Sequence, residues 1–304
     1  MKKILLVVSI TGFMFAEGKI GGVTYFDFIS IDDSLAFNFQ RQYFGYGGEV
    51  SDQVSFNILF DVGRNAPDNR LSAYLKKAQV NYKSSFGRFN FGLIGMNTYA
   101  VQESNWGYRF IEKSAIDKNK FSSTADIGVG FSKSIIDNLN LSLQFINGEG
   151  FKKPQGDKYH KIAFNATYGE SNLIKNDGYN AGVVYTTEQT DTDPITMTSI
   201  FGGFAGMGIR IGGEYDMKTI GGVNSNIVSV STNYTVRDNI DVFVRYDIYD
   251  GDTSIDNNGK DYLVAGIVLT CGGGISVPPN VRTTTYEDET EALTEYKVNF
   301  QFKF

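Results

Sequence analysis

The side chains in this chain that could do chemistry suit the handling of ions better than the making of bonds. His160 is the only histidine in 304 residues, and it alternates with Ile162 and Phe164 at the start of a strand-like segment. Hydrolysis would want a nucleophile and a base facing one another on one surface. The sequence spells no such pair, so no enzyme activity and no cofactor are expected. The run D-G-D-T-S-I-D-N-N-G-K-D at 250–261 has oxygen donors at calcium-like spacing but lacks the closing bidentate Glu and flanking helices. It reads as a solvated loop, with no metal site. Cys271 stands alone before three glycines, in a predicted turn. What remains are charged residues of both signs. Glu103, Arg109, Glu112 and Lys113 fall in one long loop, while Asp126, Arg210, Asp241, Arg245, Asp247 and Arg282 fall on the polar faces of alternating segments.

The elements that must hold those charges read as β-strands. From Leu293 the chain runs L-T-E-Y-K-V-N-F-Q-F-K-F, with Tyr296, Val298, Phe300, Phe302 and Phe304 apolar and Glu295, Lys297, Asn299, Gln301 and Lys303 between them. That is period two, so one face is apolar and the other polar. The pattern recurs at Val54–Phe60, Ala125–Phe131, Leu139–Phe145 and Ile240–Ile248. From Gly18 the chain divides into about sixteen such segments, each long enough for a tilted membrane strand. Segments 35–47 and 260–270 alternate poorly, and Lys76 falls on the apolar face of its strand. Connections such as S-D-Q and S-S-F-G are tight turns; they alternate with longer ones such as R-N-A-P-D-N-R and G-E-G-F-K-K-P-Q-G-D-K. Short turns on one rim and long loops on the other are the pattern of an up-and-down transmembrane barrel.

Composition bounds the reading. The formal charge is -6, and removing a leader with Lys2 and Lys3 takes it to about -8, which argues against a nucleic-acid partner. M-K-K-I-L-L-V-V-S-I-T-G-F-M-F-A reads as a secretory signal peptide over residues 1–16, with cleavage after Ala16 or Gly18, leaving 17–304 as the barrel. One cysteine in an exported chain forms no internal disulfide. Downstream of the leader no run of about twenty apolar residues occurs, so helical spans are not expected. A barrel hides its membrane signal, because only alternate residues meet lipid.

The whole mature chain resembles the bacterial outer-membrane porins and, more loosely, their phosphate-selective branch. The resemblance is carried by R-Q-Y-F-G-Y at 41–46, S-S-T-A-D-I-G-V-G-F at 122–131, I-N-G-E-G at 146–150 and the terminal Y-K-V-N-F-Q-F-K-F. It implies a closed antiparallel barrel in the outer membrane, three copies packed as a homotrimer against outer-membrane lipid, and passive diffusion of ions and small hydrophilic solutes. It also implies a third extracellular loop folded into the lumen; by position that is Ala100 to Phe121, with Glu103, Arg109, Glu112 and Lys113 at the constriction. Because sixteen strands enclose more space than side chains fill, a water-filled lumen follows. The wall charges are of both signs, with no basic ladder, so phosphate selectivity is not expected. The alternative is a blocked barrel that serves as a structural protein or adhesin.

Overall fold

The computed structural model describes residues 18–31, 34–65, 69–288 and 290–304. The leader expected at 1–16 lies outside the described residues. The strands are β1 (Gly18–Ile31), β2 (Ser34–Glu49), β3 (Val54–Asn65), β4 (Arg70–Lys83), β5 (Arg88–Gly95), β6 (Ala125–Ile136), β7 (Leu139–Ile146), β8 (Lys161–Gly169) and β9 (Gly178–Glu188). They continue as β10 (Ile195–Gly206), β11 (Ile209–Ile220), β12 (Val223–Arg237), β13 (Ile240–Asp250), β14 (Lys260–Gly272), β15 (Ile275–Val277), β16 (Pro279–Tyr286) and β17 (Leu293–Lys303). Two short helices, α1 (Ala100–Trp106) and α2 (Ala115–Lys118), interrupt the series after β5.

Each strand pairs antiparallel with its chain neighbours, and β1 closes the ring on β17 from Val23↔Lys303 to Ile31↔Glu295. The closing seam reaches the last residue: Gly22 N–H donates to the Phe304 carbonyl at 3.0 Å, and Phe304 N–H donates to Gly22 at 3.1 Å. The pieces β15 and β16 both lie between β14 and β17 and are split at Pro278, which has no N–H for the ladder. They are one strand of the wall. The fold is therefore a closed sixteen-strand antiparallel barrel, as the alternation predicts.

The two faces are sorted opposite to those of a water-soluble protein. Phe44, Phe60, Phe91, Ile127, Val129, Leu143, Ile200, Val230 and Ile248 are exposed outside, whereas Asp27, Asp61, Asp126, Ser199, Ser231 and Asp247 are buried inside. Such an outer belt suits hydrocarbon, and a closed ladder leaves no strand edge unpaired there.

The places where alternation fails have structural causes. In β2 the register passes from Tyr25↔Arg41 to Phe26↔Phe39, leaving Gln40 as a bulge. In β4 it passes from Leu59↔Lys77 to Phe60↔Leu75, leaving Lys76 as a bulge. Lys76 therefore does not face outward as its spacing implied. It is 6% exposed and donates to the Tyr43 hydroxyl at 3.1 Å, because the extra residue turns two consecutive side chains to the inside. β14 is different: Tyr262, Val264 and Val268 on its inner face are buried beneath the long loop, so both of its faces are apolar.

Candidate functional site

The loop between β5 and β6 packs inside the barrel because part of the inner wall is apolar. Val184 of β9, Met197 and Phe201 of β10 and Ile227 of β12 point inward and are covered by Tyr99, Ala115, Ile116 and Phe121. Phe243, Tyr262, Val264 and Val268 are covered by Trp106, Tyr108 and Ile111. Each such side chain taken fully out of water contributes about 1.5–3 kcal/mol, so the apolar contacts favour docking. Helix α1 sits close to the wall at Gly203 and Gly212, where an added Cβ would come within 2.7 Å and 2.9 Å of Asn105. Asn105 and Asn180 exchange two amide hydrogen bonds of 2.9 Å there. Gly107 ends α1 at φ 79°, a left-handed turn that glycine adopts without strain, and a Cβ at this point would strike the Arg210 guanidinium.

Polar clamps complete the docking. Tyr108 Oη donates to Asp241 Oδ2 at 3.0 Å, and Trp106 Nε1 donates to the Glu112 carbonyl at 2.8 Å. Arg210 Nη2 reaches the Trp106 carbonyl at 3.4 Å. Arg245 is held by Asp247 at 2.6 Å and 2.8 Å and donates to the Lys113 carbonyl. Arg282 donates to the Ile111 carbonyl at 2.6 Å and to Glu112 Oε2 at 3.2 Å, while Tyr262 Oη donates to the same carboxylate at 3.0 Å. Burial alone would raise the pKa of Glu112, but Arg282, then Lys118 and Arg245, outweigh it and hold the group at about 2. Lys118, 4.0 Å from Glu112, is pushed down to about 7, chiefly by burial. Glu103 is raised, again chiefly by burial, with Arg109 at 3.4 Å opposing the shift.

Between the docked loop and the wall at β1, β2, β16 and β17 lies a space of about 200 Å³, hereafter the aperture. Arg109, Phe110, Ile111, Glu112 and Lys113 border it on the loop; Tyr25, Asp27, Gln40, Arg41, Arg282, Lys297 and Asn299 border it on the wall. Five cations thus face two carboxylates. Ion pairs place Asp61 3.2 Å from Arg41, Asp117 3.8 Å from Lys113 and Glu295 3.2 Å from Lys297.

The structure distributes the sequence candidates unevenly. Arg109, Glu112, Lys113 and Arg282 border the aperture, and Glu103 stands one layer behind through Arg109. Arg210, Asp241, Arg245 and Asp247 anchor the loop instead of lining free lumen. Asp126 is committed to the backbone N–H groups of Ile127, Gly148 and Gly150 at 2.7, 2.9 and 3.1 Å, and so shapes the rim loop that follows β7. His160 is exposed on the outer surface, stacked on Phe145 at 4.8 Å. Among the described residues, no group of three or more His, Cys, Asp or Glu side chains could hold a metal ion.

No protein-family model matches the chain, and no curated relative matches it. Solved structures do. A loop-deletion mutant of OmpT, an outer membrane protein of Vibrio cholerae, superposes with a TM-score of 0.70 at 12% identity, covering 94% of this chain and 99% of that one. OmpF of Salmonella typhi gives 0.69 at 10% identity over 95% and 98% of the two chains. An anion-selective porin from Comamonas acidovorans gives 0.68 at 10% identity over 95% and 100%. The fold is that of the porins.

Within that porin fold, sequence reading missed Asp27, Gln40 and Arg41 as well as the inward turn of Lys76. The signal was present as adjacent polar residues, Gln40-Arg41-Gln42 and Lys76-Lys77, which a strictly alternating strand does not place on one side.

Proposed function

We propose that the chain is a bacterial outer-membrane porin, exported by the leader at 1–16, that forms a water-filled channel for passive diffusion of ions and small hydrophilic solutes. The observation that carries the reading is the aperture of about 200 Å³: the loop narrows the lumen, yet what borders the remaining space is charged and amide side chains. A plug would be expected to fill that space with apolar contacts, as the loop does on its docked side. Arg109, Glu112 and Lys113, supported by Glu103, form the constriction from the loop; Arg41, Arg282 and Lys297 form it from the wall. The outward apolar belt takes outer-membrane lipid and, over part of its circumference, two further copies in a homotrimer. The porin resemblance supports this assembly, and one similar OmpT structure is described as a trimer form. The cations gather at one level and do not climb the wall as a ladder, so no phosphate-specific filter is assigned.

The test is single-channel recording of the detergent-purified, refolded protein in a planar bilayer. Stepwise openings, grouped in threes, are the expected result. A folded barrel that never conducts would refute the channel and favour a structural or adhesive barrel.

A further inference from the structure

The two bulges decide the sign of charge around the aperture. Each places consecutive side chains on the inner face: Gln40 with Arg41 in β2, and Lys76 with Lys77 in β4. Gln40 donates to Asp27 Oδ2 at 2.7 Å. Arg41 and Lys76 share Asp61, at 3.2 Å and 3.7 Å, and the carboxylate is fully buried. Its single charge therefore balances only one of the two. Among the described residues Lys77 makes no ion pair, and an added Cβ at Gly95 would lie within 2.8 Å of its ammonium. Without the two lysines, the aperture, its ion-pair partners and Lys118 amount to six cations and six carboxylates. With Lys76 and Lys77 the cations number eight.

We propose that the channel prefers small anions over cations, and that the bulge of β4 supplies the excess charge that sets this preference. The proposal rests on the channel reading above. A regular β4 would send one of each pair of adjacent side chains outward, so an inward Lys76 beside an inward Lys77 requires the extra residue. Neither lysine borders the aperture; both act on its water from behind Arg41, which does border it and shares Asp61 with Lys76, and the low-dielectric wall focuses their field there. Lys77 is the side chain to probe: replacing Lys76 or Arg41 would also strip a partner from the buried Asp61.

The experiment is the reversal potential of the refolded channel under a potassium chloride gradient. The wild type is expected to pass chloride several-fold more readily than potassium. Lys77→Glu combined with Arg109→Glu should reverse the preference, Lys77→Gln should weaken it, and Lys77→Arg should retain it. Folding of each variant is read independently from its heat-dependent mobility in detergent. A conducting wild type that favours potassium, or a folded, conducting double variant that keeps the wild-type ratio, overturns the proposal and leaves the channel standing. Failure of the folded wild type to conduct removes the channel, and the preference with it.

Discussion

The Arg282–Glu112 clamp makes the loop's hold on the wall dependent on pH. In the docked loop the Glu112 carboxyl is held at about 2, against an ordinary 4.5, by Arg282, Lys118 and Arg245 acting against the burial that would raise it. A carboxyl depressed in the docked state contributes stability that is fully present above 4.5 and is lost as pH falls through 2. The difference corresponds to about 3 kcal/mol after allowance for the 17% of the side chain that remains exposed. That is roughly a hundredfold in the ratio of docked to undocked loop. Arg282→Met removes the chief partner at every pH, leaving Glu112 to Tyr262 and Lys118 and taking the Arg282 donor from the Ile111 carbonyl; breaking a buried pair costs up to about 3–5 kcal/mol. The assay is current noise of a single open channel at pH 7, 5, 4, 3 and 2.5. Wild type should be quiet to pH 5 and flicker increasingly below 4, whereas Arg282→Met should flicker already at pH 7. If wild-type noise at pH 3 equals that at pH 7 and Arg282→Met is quiet, the apolar contacts alone hold the loop and the electrostatic argument is wrong.

Trp106→Ala removes the largest apolar anchor, at a cost of about 3–5 kcal/mol to docking; unit conductance should rise or become multi-level, and unchanged conductance would count against the docked geometry. Asp216 is fully buried behind the loop, where the Ser199 side chain is the one group that favours its carboxylate against the loss of water. Asp216→Asn should therefore raise stability in urea unfolding from lipid vesicles by about 1–3 kcal/mol, and a loss of similar size would show that the charge has a further partner. Lys118, pushed down to about 7 mainly by burial, should lose its charge as pH rises from 6 to 8. Between about 7 and 10.5 the undocked loop then binds more protons than the docked one, so docking strengthens as pH rises. The anion preference should weaken across pH 6 to 8 in the wild type and stay level in Lys118→Met, as read from reversal potentials.

Strand positions and the closing role of the terminal strand were legible because alternation depends only on nearest neighbours along the chain and on the two faces they meet. Tyr296, Val298, Phe300 and Phe302 read as one face, and Phe300 stacks on Phe26 across the closing seam at 4.6 Å. The position of the long loop was legible from its length and its aromatic residues. Its contacts were not: Arg282 meets Glu112 across 170 positions, and Tyr108 meets Asp241 across 133. Nothing local distinguishes an arginine that clamps a loop from one that faces water, so Arg210 and Arg245 read as lining charges although they are loop anchors.

The breaks in the pattern carried the information about the site that the pattern itself lacked. Alternation fails in β2 and β4 because bulges bring two polar neighbours to the inside, on the open side of the lumen. It fails in β14 for the opposite reason: Val264 and Val268 are apolar on the inner face because the loop covers them. An inward apolar face is costly to leave against water, and an inward cationic pair is costly to leave without it. The loop has therefore little choice of wall. It docks where β9, β10, β12, β13 and β14 turn Val184, Met197, Phe201, Ile227, Phe243, Val264 and Val268 inward among their polar side chains, and water remains where β1, β2, β16 and β17 present charged and amide groups. The position of the aperture is thus written in the strands, and the loop completes a boundary that the wall already defines. Exchanging the loop for one of equal length but different charge should change ion preference while leaving the aperture on the same side of the lumen. Leu263→Lys, which alters only the outer face of β14, should leave docking intact, whereas Val264→Lys, one residue on, should release the loop and raise the noise of the open channel.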